Sequence, residues 1–247
     1  MTDDVSIALL YPELLGTYGD GGNALVLAQR LRWRGIPAEI IDITAGETVP
    51  TSCNVYLMGG GEDGPQASAV RELRASRALN RAVDGGSAVL AVCAGYQLLG
   101  RQFLGPDLRP HTGLGLLDCS TDRGPGARRV GELVVEPETE LELPKLTGYE
   151  NHAGITRLGP SVHPLGRVVV GHGNDHGDGT EGVVAGRIVG TYLHGPVLAR
   201  NPALADLILS WVVGPLEPLE DSEVTELREE RISSARRSHP LAGRHLW

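Results

Sequence analysis

The stretch Ser87 to Gly100, SAVLAVCAGYQLLG, leaves this chain few choices of fold. Ala88 to Val92 is an unbroken apolar run. A strand with no polar alternation needs cover on both faces, as in a parallel sheet flanked by helices. Cys93 follows at once, then the small residues Ala94 and Gly95, and Tyr96-Gln97-Leu98-Leu99 opens a helix. Strand, lone nucleophile, small neighbours and helix are the parts of a nucleophile elbow, in which a sharp turn exposes one side chain at the strand's C-terminal end. The helix that follows aims its first N–H groups at the sulfur, which favours thiolate and helps to bind an oxyanion. A buried structural cysteine at a strand end is the competing reading of the same residues.

The first half alternates around this segment. Val5 to Tyr11 reads as a strand, and the turn-rich TYGDGGN (17–23) ends in Asn23, an N-cap candidate. Ala24, Leu27, Ala28 and Leu31 recur at helical spacing as far as about Arg34, where Gly35 stops the helix. Pro37 to Asp42 and Asn54 to Met58 are further strands. After GGGEDG (59–64) come Val70, Leu73, Leu79, Ala82 and Val83 on one side of a helical stretch. This alternation predicts an α/β fold with a mostly parallel sheet and helices on both faces. The second half carries shorter apolar segments separated by turns, near 115–119, 130–135, 147–150, 167–170, 182–185 and 187–193, which read as strands with antiparallel pairs. A helix bearing Leu204, Leu207, Ile208 and Trp211 closes a domain expected over 1–214. The segment 215–247 is expected to add a helix with a thin apolar stripe (Val224, Leu227, Ile232) and a mobile tail from Ser238.

Composition excludes several classes. A formal charge of −9 argues against a nucleic-acid partner. No basic region precedes the first apolar stretch, and no apolar run approaches the roughly 20 residues of a membrane span. Cys53, Cys93 and Cys119 are odd in number and widely spaced, which suits a reducing cytoplasm rather than a disulfide framework or a zinc site.

Three motifs compete for the chemistry. Gly59, Gly61 and Gly64 satisfy G-x-G-x-x-G, with Asp84 twenty residues on. The motif sits on the third strand, however, and Glu62 and Asp63 occupy the place of a pyrophosphate. His172, Asp175, His176 and Asp178 in GHGNDHGDG can be drawn as metal ligands, although no regular spacing fixes them and a solvated hairpin loop is the plainer reading. The third is GTYLHGP (190–196), whose strand delivers His194 at its C-terminal end. In a parallel sheet those ends share one edge, so Cys93 and His194 can meet there. A thiolate–imidazole pair is what acyl transfer through cysteine needs.

GGGED before a helix, AVCAGYQLLG at the elbow and GTYLHGP at a late strand together resemble class I glutamine amidotransferase domains, of the branch found in cobyric-acid and cobyrinic-acid amide synthases. YPELLGTYGDGGN (11–23), GLGLLD (113–118), ARRVGELVVE (127–136) and GYENHAG (148–154) extend the resemblance to the small glutaminase subunits of lipid II isoglutaminyl synthases, as far as about Leu209. The resemblance implies a flavodoxin-like amidotransferase fold with an antiparallel extension. It implies Cys93 as nucleophile and His194 as base, with Gly60 or Gly61 and the Ala94 amide forming the oxyanion hole. Arg128 would hold the α-carboxylate of glutamine, with Arg129 as the alternative if the loop is offset by one. Gln97 would line the same pocket, and His152 either faces it or is structural.

The chain departs from the family pattern in one place. Many members carry a glutamate two residues after the histidine, and here that position is Pro196. The resemblance implies that an aspartate of a partner completes the triad, and Asp20 is the local alternative. No G-x-x-x-x-G-K-[ST] occurs. The implied arrangement is therefore a heterodimer with a Mur-ligase-like subunit that uses ATP and magnesium, while this chain carries neither cofactor nor metal. That partner would amidate the D-glutamate α-carboxyl of lipid II to D-isoglutamine in cell-wall synthesis, at the inner face of the membrane, without a membrane anchor on this chain. A cobyrinate acceptor and a non-catalytic binder of the same shape are the alternatives.

Overall fold

The computed structural model describes residues 4–16, 19–61, 63–105 and 107–238, with the backbone alone for 63–67. Glu62 and the tail beyond Ser238, to which two of the expectations above refer, lie outside the described residues. In chain order the elements begin β1 (Val5–Leu10), α1 (Gly22–Trp33), β2 (Ala38–Ile43), β3 (Val55–Met58), α2 (Asp63–Ser76), α3 (Ala78–Asp84), β4 (Ala88–Val92) and α4 (Ala94–Leu99). Then follow β5 (Gln102–Leu104), β6 (Pro110–Thr112), β7 (Cys119–Arg123), β8 (Arg129–Pro137), β9 (Leu146–His152), β10 (Gly154–Leu158) and β11 (Gly166–Val170). The last are β12 (Thr180–Glu181), β13 (Val183–Ala185), β14 (Ile188–Thr191), α5 (Val197–Arg200), α6 (Pro202–Val213) and α7 (Ser222–Ser238).

The elbow strand β4 sits inside a six-stranded sheet of order β13-β14-β4-β3-β1-β2. All five of its side chains are buried, which is why it tolerates no polar alternation. Every pair in this sheet is parallel except the edge pair β13–β14. The connections β1-α1-β2 and β3-α2-α3-β4 run in opposite directions along the sheet. With right-handed crossovers this places their helices on opposite faces. Ligand sites in such sheets lie beyond the C-terminal strand ends at the point where the order reverses. Register aligns those ends: Leu9 pairs with Leu57, Met58 with Ala91, and Val92 with Thr191. The loops after β1, β3, β4 and β14 therefore open on one edge.

Two four-stranded sheets, β10-β7-β5-β6 and β12-β11-β8-β9, form the antiparallel extension. Here the sequence pattern is less exact. The strand expected at 115–119 instead begins at Cys119, because Gly115 turns with φ +68°. Strands β5 and β6 each have only three residues, too few for any periodicity to mark them. Asn23 is not an N-cap: α1 starts one residue earlier, and the buried Asn23 Oδ1 accepts the Leu198 N–H at the start of α5, 3.0 Å away.

One polar staple joins the ends of the chain. The Arg30 guanidinium on α1, buried to 3% exposure, pairs with Asp206 on α6 at 2.7 Å and with Asp221 at 2.8 Å. Helix α7 packs on the extension through Ala235 and Ile232, against Val134 and Val170, and leaves Leu227 exposed.

Candidate active site

At the elbow, Cys93 adopts φ 51°, ψ −103°. A non-glycine residue there carries strain on the order of 1–3 kcal/mol, which persists only where the surroundings enforce it. The surroundings do so through Gly95. Any Cβ at Gly95 would lie 2.7 Å from both Cβ and O of Met58, so only glycine lets α4 sit against the end of β3. The Gly95 N–H also donates to Gly59 O at 3.1 Å, tying the loop after β3 to the elbow.

That loop accounts for the G-x-G-x-x-G match without a nucleotide. A Cβ at Gly59 would stand 2.1 Å from Leu15 O, and one at Gly61 2.5 Å from Leu14 O. The glycines are needed because the loop after β1 crosses directly over them. The crossing delivers Asp20. Its side chain is 1% exposed, and its Oδ2 accepts the Gly60 N–H at 2.7 Å.

His194 arrives from β14, as its strand predicts. Its backbone is held by a two-bond antiparallel bridge to Tyr149 of β9: the His194 N–H donates to Tyr149 O at 2.8 Å and the Tyr149 N–H to His194 O at 3.1 Å. The ring is 4% exposed, with Nδ1 3.6 Å from Asp20 Oδ2, an ion-pair distance longer than a hydrogen bond. Burial would lower the His194 pKa, but the Asp20 carboxylate and the Cys93 sulfur raise it to about 10. The ring therefore holds its proton at neutral pH, between a carboxylate and a sulfur. Cys93, His194 and Asp20 thus come together from three loops of one sheet edge.

The two arginines separate cleanly. Arg129 turns inward, 15% exposed, paired with Asp175 at 2.5 Å and donating to Pro125 O and Ala127 O. Arg128 is exposed and lies over the site, where Nε donates to Asn151 Oδ1 at 2.9 Å and Nη2 to Asn151 O at 2.8 Å. The same Asn151 O is 4.0 Å from Cys93 Sγ. Gln97, in α4, donates from Nε2 to Tyr192 Oη at 3.2 Å.

Beneath the site lies a buried polar layer with no counterpart in the motif reading. His152 is structural: its ring stacks on Tyr192 at 3.9 Å, and Nδ1 lies 2.9 Å from Gly154 O. Tyr192 Oη meets Thr156 Oγ1 at 2.7 Å. Glu150 accepts the N–H groups of His172 and Gly173. Glu181 accepts the Thr191 hydroxyl at 2.5 Å and the Tyr192 N–H at 2.9 Å, and burial pushes its pKa up to about 7. The GHGNDHGDG loop is solvated at His172 and over 176–179, as expected of a hairpin loop, but it is anchored at its base. His172 contacts Glu150, Asp175 contacts Arg129, and Asn174 is fully buried. Among the described residues no group of three or more His, Cys, Asp or Glu is placed to hold a metal ion.

Asn151, Glu150 and Glu181 escaped the sequence reading. Strand period offered a signal for the first two, since alternation along GYENH sends Glu150 and His152 inward and leaves Tyr149 and Asn151 on the site's side.

Known proteins resemble this chain over most of its length. Over 235 residues the chain is 33% identical to the lipid II isoglutaminyl synthase (glutamine-hydrolyzing) subunit GatD of Staphylococcus aureus, covering 93% of this chain and 94% of that one. It is 32% identical over 203 residues to the GatD subunit of Streptococcus pneumoniae, covering 81% and 77%. Cobyric acid synthase of Brucella canis is 34% identical over 166 residues, but the chain spans only 32% of its length. Among solved structures, a glutamine amidotransferase superposes with TM-score 0.57 at 23% identity, over 83% of this chain and 98% of that one. The glutaminase domain of Trypanosoma brucei CTPS superposes with TM-score 0.52 at 10% identity, over 87% and 96%. Those two share the fold. Residues 6–202 match the model of one family, and this chain belongs to it: the CobB/CobQ-like glutamine amidotransferase domains.

Proposed function

We propose that this chain is the glutaminase subunit of a lipid II isoglutaminyl synthase, hydrolysing glutamine at Cys93 and passing ammonia to an ATP-using partner. The observation that carries the reading is the buried His194 ring set between the Cys93 sulfur and the Asp20 carboxylate at the strained elbow. The Cys93 thiolate attacks the side-chain carbonyl carbon of glutamine, forming a C–S bond and an oxyanion. As the C–N bond breaks, protonated His194 gives its proton to the leaving nitrogen and ammonia departs. Neutral His194 then takes a proton from water, whose oxygen attacks the thioester. The C–S bond breaks, and glutamate and the Cys93 thiolate are released.

Two N–H groups aimed at the developing oxyanion would be worth a few kcal/mol. In this reading Ala94, at the start of α4, and the loop after β3 supply them. The Gly60 N–H is engaged by Asp20 in this structure; the reading assigns the oxyanion to Ala94 together with Gly60 or Gly61 of that loop. Arg128 anchors the α-carboxylate and Gln97 lines the pocket. Arg129 is assigned to holding the loop.

Coverage favours lipid II over a cobyrinate as acceptor, because the chain matches 94% of the S. aureus GatD subunit and only 32% of a cobyric acid synthase. In this reading a Mur-ligase-like partner uses ATP and magnesium to activate the D-glutamate α-carboxyl at the inner membrane face, and the two chains form a heterodimer. No described helix is long and apolar enough to cross a membrane; in this reading the partner binds the lipid substrate. An electrophilic glutamine analogue tests the reading: mass spectrometry should find it on Cys93, in the presence of the partner. Cys93→Ser should abolish glutamine-dependent amidation while free ammonia still supports it. Unimpaired amidation from glutamine by Cys93→Ser would overturn the assignment.

A further inference from the structure

Asn151 touches both ends of the proposed glutamine site. Its Oδ1 and its backbone O together take one edge of the Arg128 guanidinium, the edge formed by Nε and Nη2. A guanidinium has five N–H donors in a fixed fork. Docking that side edge directs the end-on edge, Nη1 with the second Nη2 hydrogen, toward a carboxylate in bidentate fashion. The backbone carbonyl that receives Nη2 also stands 4.0 Å from Cys93 Sγ. Two residues earlier on β9, Tyr149 makes the bridge that fixes the His194 backbone. The strand itself cannot slide, because Glu150 and His152 on its other side are buried and bonded.

We infer that Asn151 is a positioning residue that fixes the span between Arg128 and Cys93 Sγ, and so makes the site read an α-carboxylate at the distance set by a glutamine side chain. The inference rests on the proposed role of Arg128 as carboxylate anchor. It explains why an exposed arginine, whose side chain would otherwise sample many rotamers, is held across the site before substrate arrives. It also assigns a specificity: asparagine, one methylene shorter, cannot place both its carboxylate on Arg128 and its amide carbon on the sulfur.

The test compares L-glutamine with L-glutaminamide, which keeps the reacting amide but lacks the α-carboxylate, using the full chain with its ATP-using partner. Asn151→Ala should raise KM for glutamine about tenfold or more with kcat little changed, and should leave KM for glutaminamide near its wild-type value. A merely structural loss would impair both substrates alike, and that result would overturn the inference. In the Arg128→Ala background, Asn151→Ala should add almost nothing, because the two act as one unit. Full additivity would refute the coupling. Asn151→Asp, which keeps an oxygen for Nε but brings a negative charge beside the carboxylate site, should also raise KM for glutamine selectively. If Arg128→Ala itself leaves KM for glutamine unchanged, the anchor reading fails. If Arg128→Ala raises it and Asn151→Ala does not, only the present inference fails.

Discussion

Asp20→Asn keeps the shape of a buried side chain and removes its charge. In the structure Asp20 Oδ2 has two neighbours, the Gly60 N–H at 2.7 Å and His194 Nδ1 at 3.6 Å. An asparagine oxygen can still accept the Gly60 N–H, so the loop after β3 should hold. At His194 the loss should be larger, since in the proposed mechanism the carboxylate orients the ring and stabilises the imidazolium. Removing such an orienter in other triads costs about 10⁴ in rate, which is roughly 5 kcal/mol of barrier at 1.36 kcal/mol per tenfold. The separation here is about 0.5 Å beyond a good hydrogen bond, so Asp20 in this arrangement should supply part of that, about 10²- to 10³-fold in kcat. The assay is glutamate release from glutamine by the isolated chain, with thermal unfolding to show that the variant is folded. The same assay with the partner present separates two sources of the third carboxylate. If an aspartate of the partner completes the triad, the variant's deficit should shrink to less than about tenfold in the complex. A folded variant with wild-type kcat, alone and in the complex, would refute the placement of Asp20 in the site.

Other consequences are checkable in the same preparations. Arg128→Ala should raise KM for glutamine strongly, by about 2–4 kcal/mol in kcat/KM, whereas Arg129→Ala should chiefly destabilise, by about 1–2 kcal/mol in urea unfolding, because it frees Asp175 and two loop carbonyls; the reverse ranking would mean the two are exchanged. Arg30→Ala should lower unfolding free energy by about 3 kcal/mol, the low end for breaking a buried pair, since Asp206 and Asp221 keep 25% and 24% exposure; a change under about 0.5 kcal/mol would show the staple to be idle. Glu181 has a folded pKa of about 7, raised by burial from 4.5. The folded state thus binds its proton more tightly than the unfolded chain, and stability falls as pH rises from 4.5 through about 7. Glu181→Gln should flatten that fall in unfolding midpoints measured from pH 5 to 8, and an unchanged slope would refute it.

How much of this was legible depends on the range of the physics involved. The elbow was legible because its requirements are local. A both-faces-buried strand needs an unbroken apolar run, and the turn at Cys93 needs small residues immediately after it. His194 was legible through topology, since parallel strands put their C-terminal ends on one edge. The G-x-G-x-x-G match, set aside in the sequence for its place on the third strand and its acidic loop, could not name what it served, because glycine reports a close approach and not its partner. The partner proved to be the carbonyls of Leu14 and Leu15. Asn23 misled for a similar reason: a short amide suits an N-cap, but its acceptor was taken by a helix 175 residues away in the chain. In the extension, β8, β9 and β11 were legible in the segments expected at 130–135, 147–150 and 167–170, whereas β5 and β6 were not, because three-residue strands carry too few side chains for any period to show.

The buried layer under the site was illegible for a further reason, and that reason bears on how the site works. Glu150, His152, Glu181 and Tyr192 are each polar residues in strands or at their ends, and nothing in their spacing says that they converge. Convergence is imposed by β9 lying against the end of β14, where Tyr149 and His194 bridge and His152 stacks on Tyr192. Each buried polar group is worth little in net stability when satisfied, but costs about 1–3 kcal/mol when left without a partner. A shift of β9 relative to β14 would break several such bonds together. The layer therefore fixes the register between the strand carrying Asn151 and the strand end carrying His194 far more sharply than apolar packing alone, which tolerates repacking. An exposed Arg128 can be held across the site by Asn151, with His194 facing Cys93, because the strand carrying Asn151 and the strand end carrying His194 are locked together from below.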